Sequence, residues 1–199
     1  MNLKDFLASL KIPTDRGLFL VYGKAGVGKT TFLMEFSKAN SGKALIVDSE
    51  NGFNVDRFKQ ICVDTSLDNL IIARPKSFEE QTKIISNTLD NEKLFDFIGV
   101  DTIGRHYREA VKMDKTKSNY EIAMQMRILK EISRKKPVVV CNQVYQNITE
   151  NKVEPVGRSY VTKWCDYVIH LDEENQVRTL KINNIVKEFK LTEKGFEFI

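Results

Sequence analysis

Eight consecutive residues, Gly23-Lys24-Ala25-Gly26-Val27-Gly28-Lys29-Thr30, have the spacing G-x-x-x-x-G-K-T. Glycines at these places let backbone N–H groups converge on phosphate oxygens with no side chain between. A lysine directly after the last glycine supplies a fixed positive charge for β- and γ-phosphates, and the next hydroxyl suits a magnesium ion. Residues 23–31, Thr31 included, are therefore the expected binding segment for a nucleoside triphosphate with Mg2+. The flanks agree. Leu18–Tyr22 is an apolar run that reads as a buried strand, and Thr31–Phe36 has apolar residues at helical spacing.

Such a site needs a carboxylate on the metal side, at the end of another strand. Phe97-Ile98-Gly99-Val100-Asp101 is an apolar run closed by an acid, so Asp101 is expected to support Mg2+ together with Thr30. The following residue is Thr102 rather than the glutamate that many ATPases place there, so the base must come from elsewhere. Val47-Asp48-Ser49-Glu50 ends the run after the phosphate-loop helix. Ligands of parallel α/β sheets sit at the carboxyl ends of strands, which places Glu50 to orient and deprotonate a water in line with the γ-phosphate. The competing reading makes Glu50 the cap of a helix around Val55–Gln60. Gln143, in Cys141-Asn142-Gln143, ends a further core strand and is placed to hydrogen-bond the γ-phosphate or the water. Guanine recognition would want N-K-x-D; Asn142-Gln143-Val144-Tyr145 lacks both the lysine and the aspartate, which disfavours GTP.

These residues must be positioned by alternating strands and helices. Strands are expected at Leu18–Tyr22, Ala44–Asp48, Leu70–Ala73, Phe97–Asp101 and Pro137–Asn142, and helices at Lys29–Ala39, Phe78–Asn91 and Asn119–Lys135. Ser77 with Glu80, and Ser118 with Glu121, have the spacing of capping boxes. Ile122, Met126, Leu129 and Ile132 form one apolar stripe for packing on a sheet. The alternation argues for an α/β fold with a mostly parallel central sheet and helices on both faces. Tyr167–Leu171, Val177–Asn183 and Glu188–Thr192 are short strand candidates that add an antiparallel C-terminal extension, while 111–118 and 146–163 read as irregular.

Composition bounds the rest. A chain of 199 residues with 42% hydrophobic and 29% charged side chains suits one domain with a sizeable core. No run approaches the roughly 20 apolar residues of a membrane span, and the N-terminus does not read as a signal peptide. Cys62, Cys141 and Cys165 form no C-x-x-C pair, as expected of inert thiols in a reducing cytoplasm. The net charge of +4 is uneven, since residues 102–136 hold ten basic and four acidic side chains. That bias suits a polyanion partner or, more plainly, a solvated helix face.

The set GKAGVGKTT, VDSENGFNVDRF, FIGVDTIGRHYR, VVVCNQVYQN and FKLTEKGFEFI resembles the RecA/RadA recombinase core, and within it the archaeal RadB-type paralogues. The similarity runs over residues 17–199, with residues 1–16 as a short N-terminal extension. It implies a RecA-like P-loop ATPase fold with ATP and Mg2+ as ligands. Glu50 matches the family's catalytic glutamate, Gln143 its γ-phosphate sensor, and Arg57 an arginine that stacks on adenine, for which a planar guanidinium is suited. Arg105 and Arg108 match the approach to the first DNA loop. Segment 146–163, with Lys152, Arg158 and Lys163, matches the second. Trp164 resembles a family H-W-C/S segment, although simple packing accounts for it.

The implied function is a slow or DNA-dependent ATPase that assists homologous recombination and DNA repair. Its implied partners are single-stranded DNA and recombination proteins, without a membrane. Alternatives are a nucleotide-gated mediator without turnover and a KaiC-like signalling ATPase. The chain departs from the filament-forming members it resembles: only about sixteen residues precede the core, Phe6-Leu7-Ala8-Ser9 does not match their subunit-linking aromatic-x-x-Ala peg, and the segment after Leu180 lacks their proline-containing cap over a neighbour's nucleotide. An oligomer stays open, but an extended filament is not expected.

Overall fold

A computed structural model describes residues 1–38, 42–63, 65–147 and 152–199. In chain order the elements are α1 (Leu3–Ser9), β1 (Gly17–Tyr22), α2 (Lys29–Lys38), β2 (Ala44–Asp48), α3 (Val55–Ile61), β3 (Leu70–Ala73) and α4 (Phe78–Asp90). They continue with β4 (Phe97–Asp101), α5 (Gly104–Met113), α6 (Lys115–Ser133), β5 (Pro137–Asn142), β6 (Val144–Asn147), β7 (Lys152–Pro155) and α7 (Ser159–Thr162). The chain ends with β8 (Tyr167–Glu174), β9 (Val177–Ile182), β10 (Ile185–Thr192) and β11 (Gly195–Phe198).

One nine-stranded sheet has the order β11-β10-β9-β8-β1-β5-β4-β2-β3, and β6 pairs with β7 as a separate hairpin. From β8 to β3 every neighbouring pair is parallel, whereas β9, β10 and β11 are added antiparallel. The mostly parallel sheet and its antiparallel extension therefore form as expected. The extension begins one strand later than the sequence suggests, because β8 lies parallel to β1.

Alternate residues of the central strands feed two cores. Phe19 and Val21 face one layer, with α1, α2, α3 and the C-terminal phenylalanines. Leu18 and Leu20 face the other, with α4, α5 and α6. Burial on both faces is what makes these strands continuous apolar runs. Phe19, Phe32, Phe36 and Phe58 are nearly solvent-free, and each contributes about 1.5–3 kcal/mol by leaving water. The chain's first helix joins the first layer: Phe6 stacks on Phe198 at 4.2 Å, and the Leu3 N–H donates to Glu35 Oε1 at 2.9 Å. Glu35 Oε2 accepts from the Phe196 N–H at 2.6 Å, so one carboxylate of α2 holds both chain ends. Burial raises its pKa against the lowering effect of those two N–H donors and of Lys38.

Two local expectations need correction. The long helix starts at Lys115, not Asn119, and its cap is Asp114, whose Oδ1 accepts from the Lys117 N–H at 2.9 Å. Ser118 falls on the same face as Ile122, Gln125 and Leu129, so it is buried inside the helix instead of capping it. Segment 111–118 is consequently helical on either side of Asp114. At Ser77 the hydroxyl does accept from the Glu80 N–H, but Glu80 reaches back to the Lys76 N–H rather than that of Ser77. The second irregular segment, 146–163, holds the end of β6, β7 and α7; residues 148–151 lie outside the described ones. Among the described residues no helix is long and apolar enough to cross a membrane.

Candidate nucleotide site and basic groove

Parallel pairing brings the carboxyl ends of β1, β5, β4 and β2 to one edge of the sheet. Asp48 lies opposite Asp101, and Tyr22 opposite Asn142, so the loops that follow them are neighbours by register. The phosphate loop leaves β1 and enters α2 through Gly28, whose φ of +111° excludes most side chains. At Gly23 a Cβ would sit 2.2 Å from the Leu171 carbonyl oxygen, so only glycine lets the loop start against β8. Val27 is buried in the core and Lys24 pairs with Asp172 at 3.5 Å, leaving Ala25 and Gly26 at the bend between them. Thr31 sits in the first turn of α2.

Lys29 is largely buried, and its ammonium donates to the carbonyls of Gly23 and Lys24 at 3.0 and 2.6 Å. Those acceptors hold the side chain along the loop it must serve. The Thr30 hydroxyl donates to Asp101 Oδ2 at 2.6 Å. Burial pushes the Asp101 carboxyl up to about 6, with Glu50 and Asp48 adding repulsion against the lowering effects of Thr30 and Lys29. A buried carboxylate beside a hydroxyl and a lysine suits a divalent cation held against phosphate. The donor set present thus fits both ATP phosphates and Mg2+.

Glu50 Oε1 accepts from the Thr102 hydroxyl at 2.9 Å and from Gln143 Nε2. The competing reading of Glu50 as a cap falls away, because Asn54 caps α3 by accepting from the Arg57 N–H at 2.9 Å. Glu50, Thr102 and Gln143 thereby join the ends of β2, β4 and β5, with Thr102 adjoining Asp101. Sequence reasoning missed what shapes this loop. Asp48 is buried, and its two oxygens accept from the N–H groups of Gly52 and Phe53 and from Arg74 Nε at 3.1–3.2 Å. The acid in Val47-Asp48 was a usable signal, since a carboxylate ending a buried strand needs partners. Arg57 donates to the carbonyls of Thr192 and Glu193 at 2.5 and 3.1 Å, which ties α3 to the β10–β11 turn. The thiols match the inert reading: Cys62 and Cys165 are pushed up to about 11 and about 12 by burial, and Cys141 is raised well above its ordinary value.

A second feature lies between α5, the start of α6 and the β6–β7 hairpin. It is a groove of about 770 Å³ whose walls include Arg108, Lys112, Lys115, Tyr145, Arg158 and Tyr160. Arg158 lies 5.0 Å from the Tyr145 ring centre and 3.3 Å from Glu154. Within Arg105-His106-Tyr107-Arg108 the roles divide. His106 meets the Pro75 carbonyl at 2.9 Å, and the buried Tyr107 hydroxyl donates to Asn119 at 2.6 Å. Both are structural. Arg108 joins Arg158 on the groove, while Arg105 shares its helix without lining it. Lys163 instead sits 5.3 Å over Trp164, a residue packed against the second core. Lys152 opens β7, and its side chain lies outside the described residues. The hairpin is anchored beside Gln143 through Asn142 Nδ2, which donates to the Val156 carbonyl at 2.7 Å.

Residues 18–196 match the family described as AAA domain. The chain is 32% identical to the DNA repair and recombination protein RadB of Pyrococcus abyssi over 92% of its own length and 86% of the relative's. It is 30% identical to RadB of Methanococcus maripaludis over 90% of each. A crystal structure of the RadB recombinase superposes with a TM-score of 0.84 at 26% identity, covering 98% of this chain and 97% of that one.

Proposed function

This chain belongs to the RadB family of RecA-like P-loop proteins, and from that premise we propose that it binds ATP with Mg2+, hydrolyses it slowly, and assists homologous recombination and DNA repair in the cytoplasm. The single observation that carries the reading is the contact chain Thr30–Asp101, Thr102–Glu50–Gln143, assembled from three strand ends beside the phosphate loop.

The geometry supports the following division of roles. Lys29 exchanges its loop carbonyls for phosphate oxygens, a charge-assisted replacement. Thr30 and Asp101 would hold Mg2+, which when bound neutralises charge on the phosphates. Glu50 accepts a proton from the attacking water, and Gln143, already bonded to it, orients that water and reports whether the γ-phosphate is present. Arg57 offers the face of its guanidinium to the adenine while its edge holds the β10–β11 turn. The groove takes single-stranded DNA, with Arg108 and Arg158 on phosphates and Tyr145 and Tyr160 as stacking surfaces. Arg105, Lys152 and Lys163 add charge around it. Residues 17–199 act as one ATPase core.

ATP turnover measured with and without oligo(dT), together with fluorescence anisotropy of labelled oligo(dT) across a salt series, tests the whole reading. Turnover is expected, and DNA binding should weaken steeply with salt as counterions are released. No ATP binding with Mg2+ would sink the nucleotide reading. No DNA binding at low salt would leave a signalling ATPase.

A further inference from the structure

Beneath the nucleotide edge runs a buried chain of amides that the roles above leave unused. Gln81 on α4 and Gln125 on α6 are both fully buried. Gln81 Oε1 accepts from the Ser49 hydroxyl at 2.9 Å. Its Nε2 donates to the Ile103 carbonyl at 3.2 Å and to Gln125 Oε1 at 2.8 Å. Gln125 Nε2 in turn donates to Thr82 at 2.7 Å. Ser49 directly precedes Glu50, and Ile103 directly follows Thr102, the hydroxyl that Glu50 holds. One side chain therefore binds both sides of the Glu50–Thr102 contact from below.

A primary amide is well suited to this task. It donates twice and accepts at once, carries no charge to desolvate, and is fully satisfied here. Burying an amide would otherwise cost stability that a leucine at the same place would not. The expense makes sense where two strand ends must keep one spacing.

We propose that Gln81 is the positioning residue for Glu50, fixing the ends of β2 and β4 so that the carboxylate is aimed before nucleotide arrives. The assignment rests on Glu50 as the water-activating group. The same amide also fixes the start of α5, so the helix that carries Arg105 and Arg108 shares its anchor with Glu50.

The test compares Gln81→Met with Gln125→Met. Both remove one buried amide, but Gln125 lies outside the contacts to Ser49 and Ile103. Gln81→Met should lower turnover at saturating ATP by on the order of 10-fold to 100-fold with KM unchanged, the expected consequence of a misplaced catalytic group. Gln125→Met should keep wild-type turnover despite a similar loss in Tm. Amide hydrogen exchange reads positioning without turnover: residues 49–53 should exchange faster in Gln81→Met and not in Gln125→Met. Ser49→Ala, which removes one donor and little volume, should lower kcat in the same direction if Gln81→Met fails to fold. Equal loss of turnover in both glutamine variants, or unchanged exchange at 49–53, overturns the assignment. A wild-type protein without turnover would overturn the reading of Glu50 instead, while the exchange comparison still decides whether Gln81 positions its loop.

Discussion

The nucleotide edge and the basic groove are built on opposite plans. At the edge, Glu50, Thr102 and Gln143 sit one or two residues beyond a buried parallel strand, Asp101 ends one, and hydrogen bonds join these ends to one another and to the first turn of α2. In the groove, Arg108 and Arg158 come from a helix and from beyond a hairpin fifty residues later, and Arg158 already keeps Glu154 and Tyr145 as company. The edge is rigid because register decides it, whereas the groove is assembled from long exposed side chains that give up rotamer freedom only when a ligand holds them. Chemistry that needs sub-ångström aim belongs to the first plan, and tolerant electrostatic contact to the second.

The sharpest way to break this contrast is Glu50→Gln. Turnover should fall by about 10²–10⁴-fold while nucleotide affinity is kept, because the amide cannot take a proton from water. Loss of ATP affinity in a quantitative binding assay would mean that Glu50 serves binding instead. Lys29→Ala should weaken ATP by roughly 10-fold to 100-fold, as one charged partner of the β- and γ-phosphates is lost; unchanged isothermal titration would count heavily against the phosphate loop. Arg108→Ala with Arg158→Ala should weaken oligo(dT) by about tenfold and flatten the salt slope by about one to two units, with ATP turnover in the absence of DNA unaltered. A turnover loss in that double variant would erase the division between the two regions.

The smallest effect concerns pH. Burial raises the Asp101 carboxyl to about 6 in the ligand-free protein, so its contribution to folding is full below the unfolded carboxylate range and is lost as pH rises through about 6. Asp101→Asn should therefore gain on the wild type by on the order of 2 kcal/mol between about pH 4 and pH 8 in chemical denaturation without Mg2+. The same variant should bind Mg2+-ATP poorly. A difference that stays flat with pH would show that Asp101 ionises normally in the folded protein.

The two regions also differed in how far they could be read beforehand. The four inner strands β1, β2, β4 and β5 were legible because each is apolar on both faces, and the phosphate loop because its glycines and lysine fall within eight residues. The position of Glu50, Asp101 and Gln143 at neighbouring strand ends was legible from one rule about parallel sheets. The start of α6 was misread because Ser118 and Asp114 are both good caps, and only the buried face of the helix decides between them. Trp164 was correctly read as packing. Gln81 left no trace, since a glutamine inside an amphipathic helix looks like any polar position until its three partners surround it.

The order of residues alone carried the phosphate-loop pattern and the parallel sheet, because loop chemistry and strand burial both act over a few neighbouring residues. Only the folded chain decided which arginines share the groove, that Asp114 rather than Ser118 caps α6, and what lies beneath the Glu50–Thr102 contact. Those depend on contacts between residues tens of positions apart, whose closeness is a property of packing and register rather than of any local pattern.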